Sequence, residues 1–324
     1  MSLELTVASE PCGDRAVGVD IGGTKMAVAA VTRAGRITAR LTLPTEASLG
    51  FGRAVDRLNR AITEVVLQAG WQPDDWLGVG IGCAGPVDPQ RGAICNPFTL
   101  SGWDNCDIVS PVRAHFQKPV FLENDADAAL LGECLAGAGQ GMDPVVMLTF
   151  GTGIGSAALT EGRIYRGVEG GHPEFGHLPV ETDGPECYCG RAGCFEAIAS
   201  GTALGLAGQA LGLADSRAVL AAAASGDPQA ATLVARAVRA TATATWSILH
   251  TFMPRRIILG GGMMDDHYET FAAAVRAQIQ RAILLPRDRV EVVRAVLGND
   301  AGLVGAASLV FAATARPAPS VKTA

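Results

Sequence analysis

Three features of this 324-residue sequence predict an α/β protein built from two related halves. Short apolar runs end in glycine at Ala16–Gly23, Val145–Gly151 and Arg255–Gly262. Stretches with helical apolar spacing lie between such runs. Residues 17–31 and 146–160 also share one plan, an apolar strand, a Gly-rich bend and a second strand, which suggests a duplicated architecture.

The elements follow in order. Residues 1–14 read as a loose tail. Strands are expected on both sides of the Gly22–Gly23 bend, and a third over 36–44, where alternation ends at Pro44. Phe51, Val55, Leu58, Ile62, Val65 and Val66 have helical spacing over 51–69, and Gly70 stops the helix. Residues 76–88 give a buried strand running into a Gly85–Pro86 turn, and 118–125 another strand, with a helix over Ala126–Leu135. The second strand–bend–strand unit occupies 144–160. Beyond Glu196 the chain is Ala-rich and helical. Asp227 before Pro228 marks a helix start, with the helix running to about Phe252. A strand ends at Gly260–Gly262, a helix covers 265–282, a strand 290–297 and a last apolar helix 301–314. Residues 315–324 are expected to be disordered.

The length suggests roughly two domains, and 48% hydrophobic residues are ample for their cores. A net charge of −6 argues against a nucleic-acid binder working by bulk electrostatics. It leaves room for an anionic substrate held by backbone amides and a metal ion. The start carries Glu4, Glu10 and Asp14 and has no basic-then-apolar leader pattern. The uncharged stretches 144–160 and 197–214 are rich in Gly and Ala, so no membrane span is expected. Five cysteines are scattered (Cys12, Cys83, Cys95, Cys106, Cys134), which reads as buried thiols in a reducing cytoplasm.

Cys187, Cys189 and Cys194 form a cluster, with His177 ten residues upstream of Cys187. Three thiolates and an imidazole would close a tetrahedral structural site, and zinc suits that donor set best. Gly190 and Gly193 let the chain wrap between the ligands. His172 competes with His177 for the fourth position, and three buried thiols without metal is the plainer reading. His115, His250 and His267 read as ordinary surface or packed histidines.

Asp20-Ile21-Gly22-Gly23-Thr24-Lys25 closes an apolar strand. Adjacent glycines let backbone N–H groups approach phosphate oxygens, Thr24 adds a hydroxyl, Lys25 a cation, and Asp20 a carboxylate for Mg²⁺. Gly151-Thr152-Gly153 and Gly260-Gly261-Gly262 repeat the device. Neither a Walker A loop nor a dinucleotide fingerprint is present. Each bend alone could be only a tight hairpin. Glu123-Asn124-Asp125 lies where a strand passes into a helix, the place where open α/β sheets bind ligands. Asp125 there is either a helix cap or a base able to take a hydroxyl proton. Asp127 and Glu133 read as solvated helix positions.

In this order and spacing, DIGGTK, ENDADAA, GTGIG, EFGH, CYCGRAGCFEAIAS and ILGGG resemble the ROK family (repressors, open reading frames, kinases) over roughly residues 16–312. The resemblance implies an actin-like ATPase fold of the ribonuclease H-like, hexokinase and Hsp70 type, with two α/β domains around a cleft. It divides the chain into a smaller domain over 1–124, to which the helix 301–315 returns, and a larger one over 125–300 with the zinc knuckle. It implies that Asp125 is the base for a sugar 6-hydroxyl and that Asn124, Glu174, His177 and Glu196 hold the sugar. His177 would also bind zinc together with Cys187, Cys189 and Cys194. Asp20, Gly22, Gly23, Thr24, Lys25, Thr152 and Gly153 would line the phosphates of Mg-ATP, with Gly261 and Gly262 near the adenosine. A homodimer or homotetramer is expected. The helix-turn-helix of the family's repressors has no counterpart among the 16 or so residues before the first strand, so no nucleic-acid partner is expected.

The segment 82–105 resembles the sugar-covering loop of the family's glucokinases, and glucose is the favoured substrate. Gly171-His172-Pro173-Glu174 instead resembles the family's fructokinases. Fructose and the N-acetylated hexosamines N-acetylglucosamine and N-acetylmannosamine are the alternatives, with a non-catalytic sugar sensor behind them.

Overall fold

The computed structural model describes residues 13–314. The expectations for the two tails, and Cys12, fall mainly outside these residues. Asp14 is an exception: it is not loose but accepts a 2.6 Å hydrogen bond from Arg33 Nε.

The elements run β1 (Arg15–Ile21), β2 (Lys25–Thr32), β3 (Ile37–Pro44), α1 (Phe51–Gln68), β4 (Val79–Cys83), β5 (Val87–Asp88), β6 (Ala93–Ile94), β7 (Cys106–Asp107), α2 (Val109–Phe116), β8 (Val120–Asn124) and α3 (Asp125–Ala136). They continue with β9 (Val145–Phe150), β10 (Ile154–Thr160), β11 (Arg163–Ile164), α4 (Glu196–Ala199), α5 (Gly201–Gln209), α6 (Ser216–Ala224), α7 (Pro228–Phe252), β12 (Arg256–Gly260), α8 (Met264–Arg281), β13 (Glu291–Arg294) and α9 (Ala301–Thr314).

The described residues form two compact units, 13–135 with 302–314, and 136–301. The division comes after α3 rather than before it. Each unit is built on a five-stranded sheet, β3-β2-β1-β4-β8 in the first and β11-β10-β9-β12-β13 in the second. In each, an antiparallel three-strand meander is followed by two parallel strands. The duplication read from the two glycine bends is therefore a duplication of topology.

β1 and β2 are buried along almost their whole length, because helices or loops cover both faces, whereas β3 alternates half-buried and exposed positions as an edge strand does. Asp227 starts α7 as its pattern predicts, accepting from the N–H groups of Gln229 and Ala230 at 2.9 and 2.8 Å. β13 is shorter than expected. Among the described residues it pairs with β12, and Arg294, opposite Leu259, is the last paired residue.

In the first unit α9 lies against the sheet through backbone rather than side chains. A Cβ on Gly80 would sit 1.7 Å from the Ala306 carbonyl, and one on Gly18 2.0 Å from that of Leu303. Gly305 meets α3 the same way, 1.6 Å from the Ala128 carbonyl. This packing corrects the reading of Asp127 and Glu133 as solvated. Both are fully buried, because α3 is covered by α9 as well as by its own sheet.

Candidate functional site

In the first unit the strand register aligns Ile21, Cys83 and Asn124 at the carboxyl ends of parallel β1, β4 and β8. The Gly22–Lys25 bend, the Ala84–Gly85 turn and Asp125 therefore leave the sheet at one edge. The bend is closed by Gly22 N–H donating to Lys25 at 3.0 Å, and the Thr45 hydroxyl donates to the Gly22 carbonyl at 2.6 Å. Gly23, Thr24 and Lys25 are exposed. Burial pushes the Asp20 carboxyl above its ordinary range, against the pull of Lys25 and Arg40. Burial also raises the Cys83 thiol well above its usual range, helped by the charges of Asp125 and Asp20, so the thiol lies in the field of both carboxylates.

The start of α3 separates the two readings of Asp125. Asn124 makes the cap: its Oδ1 accepts from the N–H groups of Ala126 and Asp127 at 2.9 and 3.4 Å. That leaves the Asn124 amide N–H groups as donors. Asp125 is the first helical residue, and its Oδ1 accepts the Ala126 N–H at 2.8 Å. It is not needed as the cap. The loop that follows β6 is set by Asn96, which the sequence reading passed over. Buried Asn96 accepts from Phe98 and Thr99 N–H at 2.9 Å each and donates to the Ala84 carbonyl at 3.1 Å. Thr99 then lies 3.1 Å from where a Gly23 Cβ would be.

In the second unit the Gly151–Gly153 bend, α5, α6 and the start of α8 enclose a cavity of about 720 Å³. Thr152 and Gly262 line it. Gly261 has a different task. Its φ is +88°, and a Cβ there would come within 2.4 Å of the Phe150 carbonyl, so it lets the β12 turn press on the end of β9. Gly201, Thr202, Asp215, Ser216, Arg217, Asp266 and His267 also line the cavity and were not foreseen. They lie on helix starts more than 45 residues beyond the glycine bend, where no local motif marks them. His267, read as ordinary, is among them.

Beside this bend lies Glu196. Its Oε2 accepts the Ile154 N–H at 2.6 Å, and a Cβ on Gly153 would lie 2.4 Å from that oxygen. Gly153 therefore makes room for the carboxylate. Ser156, also unforeseen, is buried and positions the loop carrying Glu174: its hydroxyl donates to the Pro173 carbonyl at 2.7 Å and accepts the Phe175 N–H at 2.9 Å. Glu174 Oε1 lies 3.3 Å from His172 Nε2. The histidine that lies with the three cysteines is His177 and not His172.

His177, Cys187, Cys189 and Cys194 come together with their ligand atoms all within 4.8 Å of one another. Two edges of the group are 3.4 Å (Cys187 Sγ to His177 Nδ1) and 3.5 Å (Cys189 Sγ to Cys194 Sγ). A tetrahedral zinc with bonds of about 2.0–2.3 Å sets its ligands roughly 3.3–3.8 Å apart, so the residues fit that ion. The knuckle is shaped by glycines at positive φ, Gly190 at +91° and Gly193 at +72°, and closed by the Cys187 N–H to Arg191 carbonyl bond at 3.0 Å. Burial pushes the Cys194 thiol up to about 12, while the Arg191 N–H pulls Cys189 down. Of the scattered thiols, Cys83 is buried, but Cys95, Cys106 and Cys134 are only half-buried.

No helix among the described residues is long and apolar enough to cross a membrane. The model of the ROK family matches residues 16–313. The chain is 34% identical to a glucokinase of Thermotoga maritima, over 91% of this chain and 96% of that one. Its fold is similar to a ROK hexokinase from Thermus thermophilus, with a TM-score of 0.82, 34% identity and coverage of 92% and 98%. It is also similar to a ROK glucokinase from Streptomyces griseus in complex with glucose and AMPPNP, with a TM-score of 0.74, 34% identity and coverage of 91% and 98%. The doubled meander-plus-parallel sheet is thus the actin-like ATPase fold. With its motifs and sheet order shared along nearly its whole described length, the chain belongs to the ROK family.

Proposed function

We propose that this protein is an ATP-dependent hexose kinase that phosphorylates glucose at its 6-hydroxyl. The reading is carried by the start of α3: Asn124 makes the helix cap, and Asp125 follows it at the carboxyl edge of the parallel strands. Its carboxylate is the general base. As the bond from the sugar O6 to the γ-phosphorus forms and the bond from that phosphorus to the β-bridging oxygen breaks, the O6 proton passes to Asp125 and ADP leaves. The base mainly orients the hydroxyl, because the transition state is loose.

Asn124, Glu174, His177 and Glu196 hold the sugar hydroxyls. Asp20, Gly22, Gly23, Thr24, Lys25, Thr152 and Gly153 serve the nucleotide phosphates, with Gly262 beside the adenosine and Gly261 supporting that turn. Bound Mg²⁺ supplies charge neutralisation at the phosphates, with Asp20 as the carboxylate that would hold it, and its buried position suits a group whose negative charge needs a cation. His177, Cys187, Cys189 and Cys194 would hold zinc, which fixes the His177 ring for sugar binding. Free thiols and the sugar substrate suit a cytoplasmic protein of carbohydrate metabolism, and a homodimer or homotetramer belongs to the same reading.

The test is an ADP-release assay over glucose, mannose, fructose, N-acetylglucosamine and N-acetylmannosamine, with wild type and Asp125→Asn. Glucose is expected to give the highest kcat/KM, and Asp125→Asn to lose at least about 10²-fold in kcat while still binding glucose. A variant turning over at the wild-type rate removes Asp125 from its role. Silence with every sugar removes the kinase reading.

A further inference from the structure

Tyr188 lies between the first two cysteines of the knuckle, and the role assigned to it rests on the hexose reading of the site. His177 is placed by both of its ring nitrogens. Nδ1 faces Cys187 Sγ at 3.4 Å, and Nε2 lies 3.1 Å from the Tyr188 hydroxyl. The two rings meet edge to face, with centroids 5.0 Å apart at 89°. The Glu196 carboxylate neighbours the same phenol. An imidazole that gives Nδ1 to a metal carries its hydrogen on Nε2, and a phenol has one hydrogen to give and lone pairs to accept with. The consistent arrangement has Nε2–H donating to the Tyr188 oxygen and the Tyr188 O–H donating to the Glu196 carboxylate.

A sugar hydroxyl has that same pair of capacities. His177 Nε2 has one hydrogen, and Glu196 Oε2 already accepts the Ile154 N–H at 2.6 Å. Phenol and sugar hydroxyl therefore compete for one donor and for what remains of one carboxylate. Tyr188 is 73% exposed, so turning its side chain aside uncovers little core, and Cys187 and Cys189 hold the main chain on either side of it. We propose that Tyr188 determines sugar affinity and specificity as a placeholder, its hydroxyl keeping His177 and Glu196 paired until a correctly placed sugar hydroxyl displaces it. A hydroxyl in the right position restores both bonds. A sugar lacking it would leave a donor and a carboxylate unpaired and so fails to displace the phenol.

The test compares wild type, Tyr188→Phe and Tyr188→Leu in the ADP-release assay and by titration calorimetry with glucose. Zinc content and melting temperature report that the knuckle is intact. Removing the hydroxyl is expected to lower the KM and Kd for glucose about three- to tenfold, the effect falling on binding rather than on kcat. A KM that stays the same or rises in the variant that keeps its zinc overturns the proposal, because Tyr188 is then a spectator or a direct sugar contact. Wild type inactive on every hexose removes the kinase reading first, a result visible before either variant is made.

Discussion

Gly193 carries the sharpest local constraint in the knuckle. Its φ is +72°, and a Cβ there would lie 1.8 Å from the Glu181 carbonyl. Backbone strain of this kind costs about 1–3 kcal/mol, and the clash adds to it. Wild type should carry about one zinc per chain, and Gly193→Ala should hold less than about half of that after dialysis, measured by atomic absorption. Glycine and cysteine spacing made this site legible in the sequence, because three of its four ligands and both glycines lie within a few residues of each other. Residues whose role depends on a one-position offset were harder to place. Whether Asn124 or Asp125 caps α3 turns on where the helix starts, which alternation and propensity fix only loosely. The burial of Asp127 and Glu133 was hidden for another reason, since the helix that covers them is encoded at the far end of the chain.

Between elements, an ion pair ties the segment that leads into the knuckle to α7. Arg236 donates from Nε to Glu181 Oε1 at 3.0 Å and from its NH2 nitrogen to Oε2 at 2.6 Å. The Arg236 side chain pulls the Glu181 carboxyl below its ordinary 4.5. A depressed carboxyl stabilises the fold above the unfolded value and ceases to do so as pH falls through the folded one. Both side chains are about a third or more exposed, so after screening the pair is worth roughly 0.5–1 kcal/mol. Arg236→Ala should therefore melt a few degrees below wild type at pH 7, and the gap should close as pH drops below about 4.5, read by thermal denaturation followed by circular dichroism. Most elements were legible because burial on one face imposes a period. The shortened β13 was not, since a strand's end is set by its partner's end and not by its own apolar run.

Across the whole molecule, sequence showed one glycine bend in each half, and the structure shows the two sheets to share a strand order. The cavity of the second unit shows the limit of such reading. Its walls come from α5, α6 and α8, whose contributions converge only on folding. The first unit has a comparable long-range dependence. Gly18 and Gly80 hold open a flat surface on which the α9 backbone rests. Gly80→Ala should destabilise the protein by about 3 kcal/mol, and a chain ending at residue 300 should lose the cooperative melting of this unit. Both are checked by calorimetry against wild type.

That glycine surface also imposes an order on synthesis. Residues 136–301 are continuous, so the second unit can fold while the ribosome is still reading the message. The first unit is translated earlier but completed later, because its covering helix α9 follows the whole of the second unit in the chain. Until residues 301–314 emerge, the nascent chain presents the glycine face of β1 and β4 uncovered, so the unit whose strands are made first is the one closed after the other.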